Sequence, residues 1–432
     1  MAEKFDVIVV GAGPSGNAAA LRLAEAGLSV LQLERGESSG SKNVQGAILY
    51  SDALEKLIPD FRDDAPLERH IIEQRMWVLD DDSYVGTHYR SDAFNKQPYN
   101  RYTMIRSQFD KWFSERVQKA GSLVICETTV SNLLLDGQRV IGVQTDREGG
   151  AIYADAVILA DGVNSLLAKK AGFHPELHPK DVALAVKEIH FMPQELIEQR
   201  FNVTGEEGVV IEMVGKITKG MMGTGFLYTN RESVTIGIGC MLSDFKTQQT
   251  TPFALLEQMK AHPAIKPLIQ GGEMKEYTAH LIPEGGYNAV PDLYGDGWMI
   301  VGDAGMFVNA VHREGSNLAM TTGMHAADTL IELRKEGKAF SAANLKRYKT
   351  RLDESFVMKD LKKYKNMPDV FHTNPQFLND YPELLSKAAR TMLTVDGVDK
   401  KTKEREIGKS FRQRRSLFGM VSDTFKLWRA FE

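Results

Sequence analysis

The stretch from residue 5 to residue 16 constrains the fold of this chain more than any other. Its apolar run Val7–Val10 predicts a strand buried on both faces, and a G-x-G-x-x-G pattern follows where the strand would pass into a helix. Gly11 permits a tight turn, Gly13 lets the backbone approach a pyrophosphate, and Gly16 allows helix and strand to pack closely. The residues of this turn that we expect to contact a dinucleotide are Gly11, Gly13, Pro14, Ser15 and Gly16.

The residues after the turn complete a strand, helix and strand pattern. Residues 17–26 are rich in alanine and leucine and end at Gly27, which predicts a helix whose N-terminal amides face phosphates. Residues 29–33 predict a second strand, and Glu34 follows it directly. An acidic residue about 20 positions beyond the glycines accepts a hydrogen bond from a ribose hydroxyl in dinucleotide sites. We therefore expect Glu34 to bind ribose.

A glycine- and serine-rich loop covers residues 35–46. Apolar residues follow it at once, so it reads as an ordered loop, and loops on a rigid scaffold often carry ligand contacts. One interpretation places Lys42, Asn43 and Gly46 near a cofactor ring, together with Arg35 beside Glu34. The other interpretation makes the loop ordinary surface, and the residues alone leave both open.

Two further segments predict ligand contacts. Residues 106–121 predict a helix with Ser107 as its N-cap, because Phe109, Trp112, Phe113 and Val117 form one apolar stripe at helical spacing. Arg106 would lie just before that helix, where its guanidinium can reach a phosphate or a flavin edge. A buried strand then ends at Asp161-Gly162, which suits a contact with ribose or water beside a pyrophosphate, although Asp-Gly is also a common turn.

The pattern divides the chain into interleaved domains. Residues 181–290 carry short, partly alternating strands between glycine turns and predict an antiparallel sheet inserted into the dinucleotide domain. The predicted segments are dinucleotide-binding at 1–75, 106–180 and 291–335, substrate-domain strands at 76–105, the inserted sheet at 181–290, and a helical region at 336–432. At its end, residues 408–432 hold six Lys and Arg against two Asp and Glu, with apolar residues at helical spacing. This predicts a basic amphipathic helix that lies on an anionic bilayer, contacts a partner or packs on its own protein.

Composition excludes several classes. The 432 residues have a formal net charge of −4, which gives no sign of nucleic-acid binding, and no apolar run is long enough to span a membrane. The first strand begins near residue 5, which leaves no room for a signal peptide. Two cysteines indicate a reducing compartment and cannot hold an iron-sulfur cluster, which usually needs four thiolates. We expect a cytoplasmic or peripheral protein that binds no metal.

Three separated signals together resemble a flavoprotein family: the glycine turn with Glu34, Asp161-Gly162, and Gly302-Asp303 followed by a helix rich in small residues. This family includes aromatic-ring hydroxylases, geranylgeranyl reductases and electron-transfer-flavoprotein:quinone oxidoreductases. The resemblance implies an α/β chain with a Rossmann-like FAD-binding domain of the p-hydroxybenzoate hydroxylase and glutathione reductase type, an inserted antiparallel sheet and a helical C-terminal region. It also implies FAD contacts for Arg106, for the backbone of Val130, for Gly302 and Asp303, and for Gly315, Ser316 and Asn317.

Finer motifs resemble the FixC branch of the quinone oxidoreductases. They are Lys42-Asn-Val-x-Gly46, Ala160-Asp-Gly-Val-Asn-Ser165, Gly225-Phe-Leu-Tyr-Thr-Asn230, His280-x-Ile-Pro-Glu-Gly-Gly286 and Asp380-Tyr-Pro-Glu-Leu384. The resemblance implies a two-subunit electron-transfer flavoprotein as the electron donor, a ferredoxin-like iron-sulfur subunit and a membrane quinone. It further implies a complex that splits the electron pairs of NADH at the inner face of the cell membrane.

The resulting hypothesis is a FAD-dependent oxidoreductase that passes electrons from an electron-transfer flavoprotein to quinone. Electron transfer itself requires no acid or base, so no catalytic side chain is predicted. One alternative is an NAD(P)H-dependent reductase or monooxygenase of the geranylgeranyl reductase or aromatic hydroxylase type. Another is a subunit that carries FAD but only anchors its partner to a membrane.

Overall fold

The structure is a computed structural model that describes residues 4–42 and 48–431. In these residues the strands are β1 Lys4–Val10, β2 Val30–Leu33, β3 Ile48–Tyr50, β4 Leu67–Leu79, β5 Tyr84–Arg90, β6 Arg101–Met104, β7 Leu123–Ile125, β8 Val130–Asp136, β9 Arg139–Thr145, β10 Ala151–Leu159, β11 Val182–Phe191, β12 Glu207–Gly215, β13 Gly223–Thr229, β14 Ser233–Met241, β15 Glu273–Pro283, β16 Tyr294–Gly295 and β17 Trp298–Ile300. The α-helices are α1 Pro14–Glu25, α2 Ser51–Leu57, α3 Arg106–Lys119, α4 Leu166–Lys170, α5 Gln194–Phe201, α6 Leu242–Gln248, α7 Pro252–Ala261, α8 Lys266–Ile269, α9 Ser316–Lys335, α10 Ala342–Glu354, α11 Phe356–Lys363, α12 Met367–Thr373, α13 Asp380–Leu393, α14 Lys400–Arg414 and α15 Leu417–Ala430.

The chain forms two compact units, each built from three segments. The first unit contains Met1–Glu68, Asn100–Val182 and Leu281–Lys362, and the second contains Arg69–Tyr99, Ala183–His280 and Lys363–Glu432. The helical region predicted at 336–432 is therefore divided between the units. Its first part belongs to the first unit because α10 is anchored there: the buried Tyr348 hydroxyl donates a 2.8 Å hydrogen bond to the Ile300 carbonyl.

The first unit is organised around a largely parallel sheet with strand order β16-β17-β10-β1-β2-β7. β1 runs parallel to β2 on one side and to β10 on the other, with Val7 opposite Val30 and Ala156. β9 adds to β10 in the antiparallel direction and continues into β8 through the Asp136-Gly137 turn. Because neighbours cover both edges and both faces, Val7–Val10 are buried, as their continuous apolar run predicts.

Small residues let α1 and α9 pack closely against each other. A Cβ atom placed on Gly323 of α9 would lie 2.2 Å from the Ser15 carbonyl oxygen of α1. Only glycine fits at that distance, so the small-residue run predicted for this helix has a packing role. It fixes the start of α9 relative to the turn that precedes α1.

The second unit contains most of a second sheet, in which the consecutive strands are β15-β11-β14-β13-β12-β4 and β5 pairs with β4. β11, β14, β13 and β12 pair antiparallel, whereas β4 runs parallel to β12. The core on one face joins residues from this sheet, from α5 and from α7, among them Ile211, Phe201 and Leu255. The α/β fold with an inserted, mainly antiparallel sheet and a helical C-terminal region is therefore confirmed.

The C-terminal end contains two helices where the sequence predicted one basic helix over residues 408–432. Arg415 adopts an extended conformation with φ −143° and ψ 128°, which ends α14. Ser416 then caps α15, because its hydroxyl accepts a 3.0 Å hydrogen bond from the Gly419 amide. Within residues 4–42 and 48–431, no helix combines the length and apolar character that a bilayer span requires.

Arg69 anchors the second unit from inside. Its side chain is completely buried, and its guanidinium donates hydrogen bonds to the carbonyl oxygens of Gly205, Glu207, Asn230 and Arg231 at 2.6 to 3.2 Å. Gly205 and Glu207 lie just before β12 and at its first residue, and Asn230 and Arg231 lie just before β14. One buried cation therefore joins β4 to the start of β12 and to the turn that precedes β14.

We expect Arg69→Met to destabilise the second unit strongly. The substitution keeps much of the side-chain volume but leaves several buried carbonyls without a donor, at a cost of about 3 kcal/mol or more. Differential scanning fluorimetry should show a melting temperature lower by roughly 6 to 12 °C. Arg231→Met is the matched control, since Arg231 makes an exposed ion pair with Glu206 that is worth about 1 kcal/mol at most. Equal melting temperatures for the two variants would contradict the anchoring role of Arg69.

Candidate functional site

The backbone of the turn between β1 and α1 packs directly against the backbone at the end of β10. Gly11 has φ +104°, and a Cβ atom there would lie 2.3 Å from the Ala160 carbonyl oxygen. A Cβ atom on Gly16 would lie 2.0 Å from the Gly11 carbonyl oxygen. Neither position accepts a side chain. These two glycines therefore shape the turn and bring it next to Asp161, which follows Ala160.

Gly13 has a different environment from the other two glycines. It precedes Pro14 at the N-terminus of α1, and a Cβ atom on it would meet no protein atom within 4 Å among the described residues. No side chain caps this helix end. The space beside Gly13 at the start of α1 is therefore open, and the backbone amides of a helix N-terminus without a side-chain cap suit a phosphate group.

Glu34 lies on the same turn, although it is 22 residues further along the chain than Ala12. Its two carboxylate oxygens accept hydrogen bonds from the Ala12 amide at 2.9 Å and from the Gly36 amide at 2.7 Å. These bonds hold the carboxylate at the carboxyl end of β2, beside β1. Its remaining lone pairs are available for a hydroxyl group.

A buried polar network behind the turn was missed by the sequence reasoning. The Gln32 side-chain amide donates to the Gly11 carbonyl at 3.1 Å and to the Asn17 side-chain oxygen at 2.9 Å. Asn17 in turn donates to the Ser39 hydroxyl at 3.3 Å and to the Asp110 carbonyl at 3.4 Å. The available signal was a glutamine inside the apolar strand β2 and an asparagine within an alanine-rich helix. The network fixes the turn to α3.

Arg106 is the first residue of α3, which begins one residue before the predicted cap at Ser107. Its buried guanidinium forms a bidentate ion pair with Asp110 one helical turn later, at 2.9 and 2.7 Å. The positive charge also attracts the carboxylate of Asp303. The ion pair with Asp110 therefore holds Arg106 in place, and the Arg106 charge also acts on the Asp303 carboxylate.

Asp303 lies in the tight turn that follows β17. Gly302 begins this turn with φ +63°, and a Cβ atom on it would lie 2.4 Å from the Ser15 hydroxyl oxygen, so the turn packs against the start of α1. Burial raises the pKa of Asp303 to about 6, against the opposing effect of the Arg106 charge. The structure thus joins Ser15, Arg106 and Asp303 in one region of the first unit.

Asp161 and Gly162 lie where β10 ends. One carboxylate oxygen of Asp161 accepts a 3.3 Å hydrogen bond from the Leu167 amide in α4. The other oxygen is buried and has no hydrogen-bond partner in the described parts of the chain. Burial raises the pKa of Asp161 to about 6, and the Leu167 amide opposes that shift. Gly162 has φ +77°, which explains a glycine in this turn.

The N-terminus of α9 carries the three residues predicted there. Gly315 is its N-cap, and the Ser316 hydroxyl donates a 3.4 Å hydrogen bond to the Ile48 carbonyl. The Asn317 amide nitrogen donates to Glu314 at 3.1 Å, whereas its buried side-chain oxygen lacks a partner within residues 4–42 and 48–431. A buried, unsatisfied amide oxygen at a helix N-terminus marks a place where a ligand donor fits.

The remaining predicted residues take no part in these contacts. Val130 begins β8 and pairs with Thr145 of β9, and Arg35 and Lys42 are exposed. The predictions for Asn43 and Gly46 fall outside the described residues. The described parts of the chain contain no group of acidic, histidine or cysteine side chains suited to a metal ion.

Comparisons with known families and structures identify the family to which this chain belongs. Residues 4–354 match the family described as FAD binding domain, and residues 367–432 match the ETF-QO/FixC family C-terminal domain. In fold, the chain is similar to a geranylgeranyl bacteriochlorophyll reductase-like protein from Thermoplasma acidophilum, with a TM-score of 0.73, 19% identity and coverage of 95% of this chain and 96% of the other. It is also similar to the flavin-dependent brominase Bmp2, with a TM-score of 0.64, 14% identity and coverage of 96% and 100%.

Relatives found by sequence similarity have far more residues identical to those of this chain than these two solved structures have. Protein FixC of Azotobacter vinelandii is 68% identical over 432 residues, which cover 100% of both chains. A protein of Escherichia coli described as probable electron transfer flavoprotein-quinone oxidoreductase YdiS is 41% identical over 397 residues, covering 91% of this chain and 92% of YdiS. Taken with the geometry of the first unit, these matches show that the chain belongs to the FixC family of FAD-binding flavoproteins.

Proposed function

We propose that this chain receives electrons from a two-subunit electron-transfer flavoprotein and passes them through its FAD to a membrane quinone. The observation that supports this proposal is the likeness to YdiS along 91% of the chain, together with the ETF-QO/FixC C-terminal domain at 367–432. The proposal extends to an NADH-oxidising, electron-bifurcating complex at the inner face of the cell membrane.

The first unit fits FAD on structural grounds. The space at Gly13 is open, and the buried side-chain oxygens of Asp161 and Asn317 have no partner among the described residues. A dinucleotide with a pyrophosphate, two sugar chains and an amide-bearing ring supplies hydrogen-bond donors for such oxygens and an anion for helix amides. The residues present therefore match the group that the family requires.

The turn residues would hold the adenine half of the cofactor. In this proposal the backbone amides of Gly13, Ser15 and Gly16 face the pyrophosphate, and Pro14 lies between them in the same turn. Glu34 accepts a hydrogen bond from the adenosine ribose. Arg35 would lie beside that ribose, and the Val130 backbone would approach the adenine. The protein bonds from Ala12 and Gly36 keep the Glu34 carboxylate oriented for this contact.

The other half of the cofactor would meet the acidic turn and the start of α9. Asp303, after Gly302, would accept from the ribityl chain, and Arg106 would balance the negative charge of that carboxylate. Asp161 and Gly162 would lie beside the pyrophosphate. Gly315, Ser316 and Asn317 would face the isoalloxazine ring, where the positive end of the α9 dipole stabilises negative charge. Lys42, Asn43 and Gly46 would approach the same ring.

FAD, when bound, supplies the chemistry of taking up electron pairs and releasing single electrons. The side chains described above bind it, orient it and adjust its potential through local charge, and none is required to move a proton. The two cysteines, Cys126 and Cys240, are free thiols and too few for an iron-sulfur cluster. We therefore assign the clusters of the proposed complex to a separate ferredoxin-like subunit.

The donor can be identified by anaerobic stopped-flow absorbance. We expect a reduced electron-transfer flavoprotein to bleach the FAD of the purified chain, while NADH or NADPH alone leaves it oxidised. Bleached flavin should then be reoxidised by a water-soluble quinone analogue. Fast bleaching by a pyridine nucleotide alone would instead establish the reductase or monooxygenase alternative. Bleaching by the flavoprotein without quinone reduction would indicate an anchoring subunit.

We expect Gly13→Val to abolish retention of FAD while leaving the fold intact. The added side chain enters open space, so it meets no protein atom but blocks the approach of the pyrophosphate. Absorbance of the purified protein at the flavin bands should fall to background, with an unchanged far-ultraviolet circular dichroism spectrum. Gly408→Val is the control, since Gly408 lies in α14 with only the end of the Arg412 side chain nearby. A yellow Gly13→Val protein with stoichiometric FAD would show that the pyrophosphate lies elsewhere.

We expect Asp303→Ala to weaken FAD binding less severely, by about 1 to 3 kcal/mol near pH 8, the cost of a lost charge-assisted hydrogen bond. Because burial raises the pKa of Asp303 to about 6, the carboxylate is charged above that pH and becomes neutral below it. The difference between wild type and variant should therefore shrink as the pH falls towards about 5. Quenching of FAD fluorescence on titration of apoprotein measures both dissociation constants. A difference between the two dissociation constants that does not change with pH would argue against a bond to the Asp303 carboxylate. Asp353→Ala is the control, since Asp353 forms an exposed ion pair with Lys349 on α10.

A further inference from the structure

The loop that follows β15 carries an acidic residue that the proposed function does not use. Glu284 comes directly after Pro283, the last residue of β15, and it is only partly exposed. The amides of Glu284 and Gly285 donate hydrogen bonds to the Asp181 carbonyl at 2.8 and 2.9 Å. A Cβ atom on Gly285 would lie 2.8 Å from the Cβ atom of Asp181, so the loop packs closely on that residue. The backbone of Glu284 is therefore held in one position within the first unit.

A second loop of the first unit, residues 309–314, leads into α9. The Asn309 and Glu314 amides each donate a hydrogen bond to the carbonyl of the other residue, at 2.9 and 3.1 Å. The Asn309 side-chain oxygen also accepts a 3.3 Å hydrogen bond from the His312 amide. The Glu314 carboxylate accepts from Asn317 in the first turn of α9 at 3.1 Å. These bonds tie the loop, and with it Arg313, to the start of the helix.

The charge of Arg313 in the second loop acts on Glu284 in the first. Burial raises the pKa of Glu284 to about 7, against the opposing effect of the Arg313 charge. The Glu284 carboxyl is thus about half protonated at neutral pH, whereas Asp161 and Asp303, each with a pKa of about 6, are mostly charged. The other titratable residues on the two segments that pack here are Asp181, His312 and Glu314. A small change in nearby charge is therefore enough to change the protonation of Glu284 near pH 7.

The same end of α9 contains a polar group that suits a ligand. The buried side-chain oxygen of Asn317 has no partner within residues 4–42 and 48–431, although the nitrogen of that amide donates to Glu314. In the proposed function this helix start faces the isoalloxazine ring. Arg313 lies between this place and Glu284 in the sense that it is tied to the first and its charge acts on the second. A charge that develops on the ring would therefore act on Glu284 as well.

We propose that Glu284 is a redox-linked proton site, which binds one proton when the FAD of this chain is reduced and releases it when the electrons leave. Two-electron reduction brings one proton to the ring, as an N–H bond, and leaves one negative charge on it. A like charge raises the pKa of a nearby carboxyl. Glu284, charged before reduction at a pH above 7, then takes a proton from water and forms an O–H bond. Two electrons and two protons thus enter the site together.

The role of Glu284 rests on the proposed function for the place of the ring, and it adds the protons that the reaction needs. Reduction of a quinone to a quinol consumes two electrons and two protons. Reduced FAD together with a protonated Glu284 holds that same set. The site can therefore give up an electron pair without a gain or loss of net charge, while Arg313 stabilises the carboxylate that remains.

Potentiometric titration followed by absorbance tests the inference on the FAD-loaded protein, with redox mediators and without partner protein or quinone. The slope of the midpoint potential against pH is proportional to the number of protons bound per electron. We expect this slope, between about pH 7 and 8, to be about twice as steep in the wild type as in Glu284→Gln. In that range the wild type should have the lower potential, because the carboxylate opposes negative charge on the ring. The two potentials should converge below about pH 6, where the wild-type carboxyl is neutral before reduction.

Two further variants serve as controls. Glu115→Gln removes an exposed carboxyl of α3 and should keep the wild-type slope. Glu284→Asp keeps a carboxyl in the loop and should keep the steep slope. Because folding raises the pKa of Glu284, its charged form costs stability above that pKa, so Glu284→Gln should melt no lower than the wild type near pH 8. Loss of the fold therefore does not account for a changed slope.

Equal slopes in the wild type and Glu284→Gln would overturn the inference. A shallow slope in Glu284→Asp, or the same loss of slope in Glu115→Gln, would also overturn it. Because the titration contains neither an electron-transfer flavoprotein nor quinone, its result stands whether or not the chain proves to pass electrons between them. A failure of the proposed function would appear instead in the stopped-flow experiment with those partners.

Discussion

The contact of backbone with backbone at the glycine turn is the constraint on which the first unit depends. Gly11 and Gly16 leave no room for a Cβ atom, so β1, α1 and β10 approach one another more closely than any other residue permits. This approach puts the start of α1 beside the carboxyl ends of β1, β2 and β10, where ligands bind in parallel α/β sheets. The hydrogen bonds of Gln32 and Asn17 then hold the turn from behind.

The electrostatics of the first unit follow from this packing. One arginine, Arg106, is neutralised by Asp110 in its own helix and also acts on Asp303. Asp303 and Asp161 both have a raised pKa because burial outweighs the stabilisation that each receives. A hydrogen-bond donor on a ligand stabilises the charged form of such a buried carboxylate.

The sequence was sufficient for the fold class because its strongest signals are local. The apolar run Val7–Val10, the glycine spacing and the alternating strands each depend on a few adjacent residues. The sequence could not supply contacts that depend on tertiary structure. Asn17 and Gln32 are 15 residues apart, and neither belongs to a motif, so their bond is visible only in the folded chain. Arg69 likewise has no local pattern that signals four carbonyl partners more than 130 residues away.

The interleaving of the two units has a consequence for synthesis of the protein. The chain passes from one unit to the other five times, and β17, which pairs with β10, is not made until about two thirds of the chain has left the ribosome. Neither unit can close around its core during early translation, so exposed strand edges such as that of β10 wait for a late partner. Long-range pairing of this kind slows folding. Premature termination anywhere before α10 would thus leave both units incomplete.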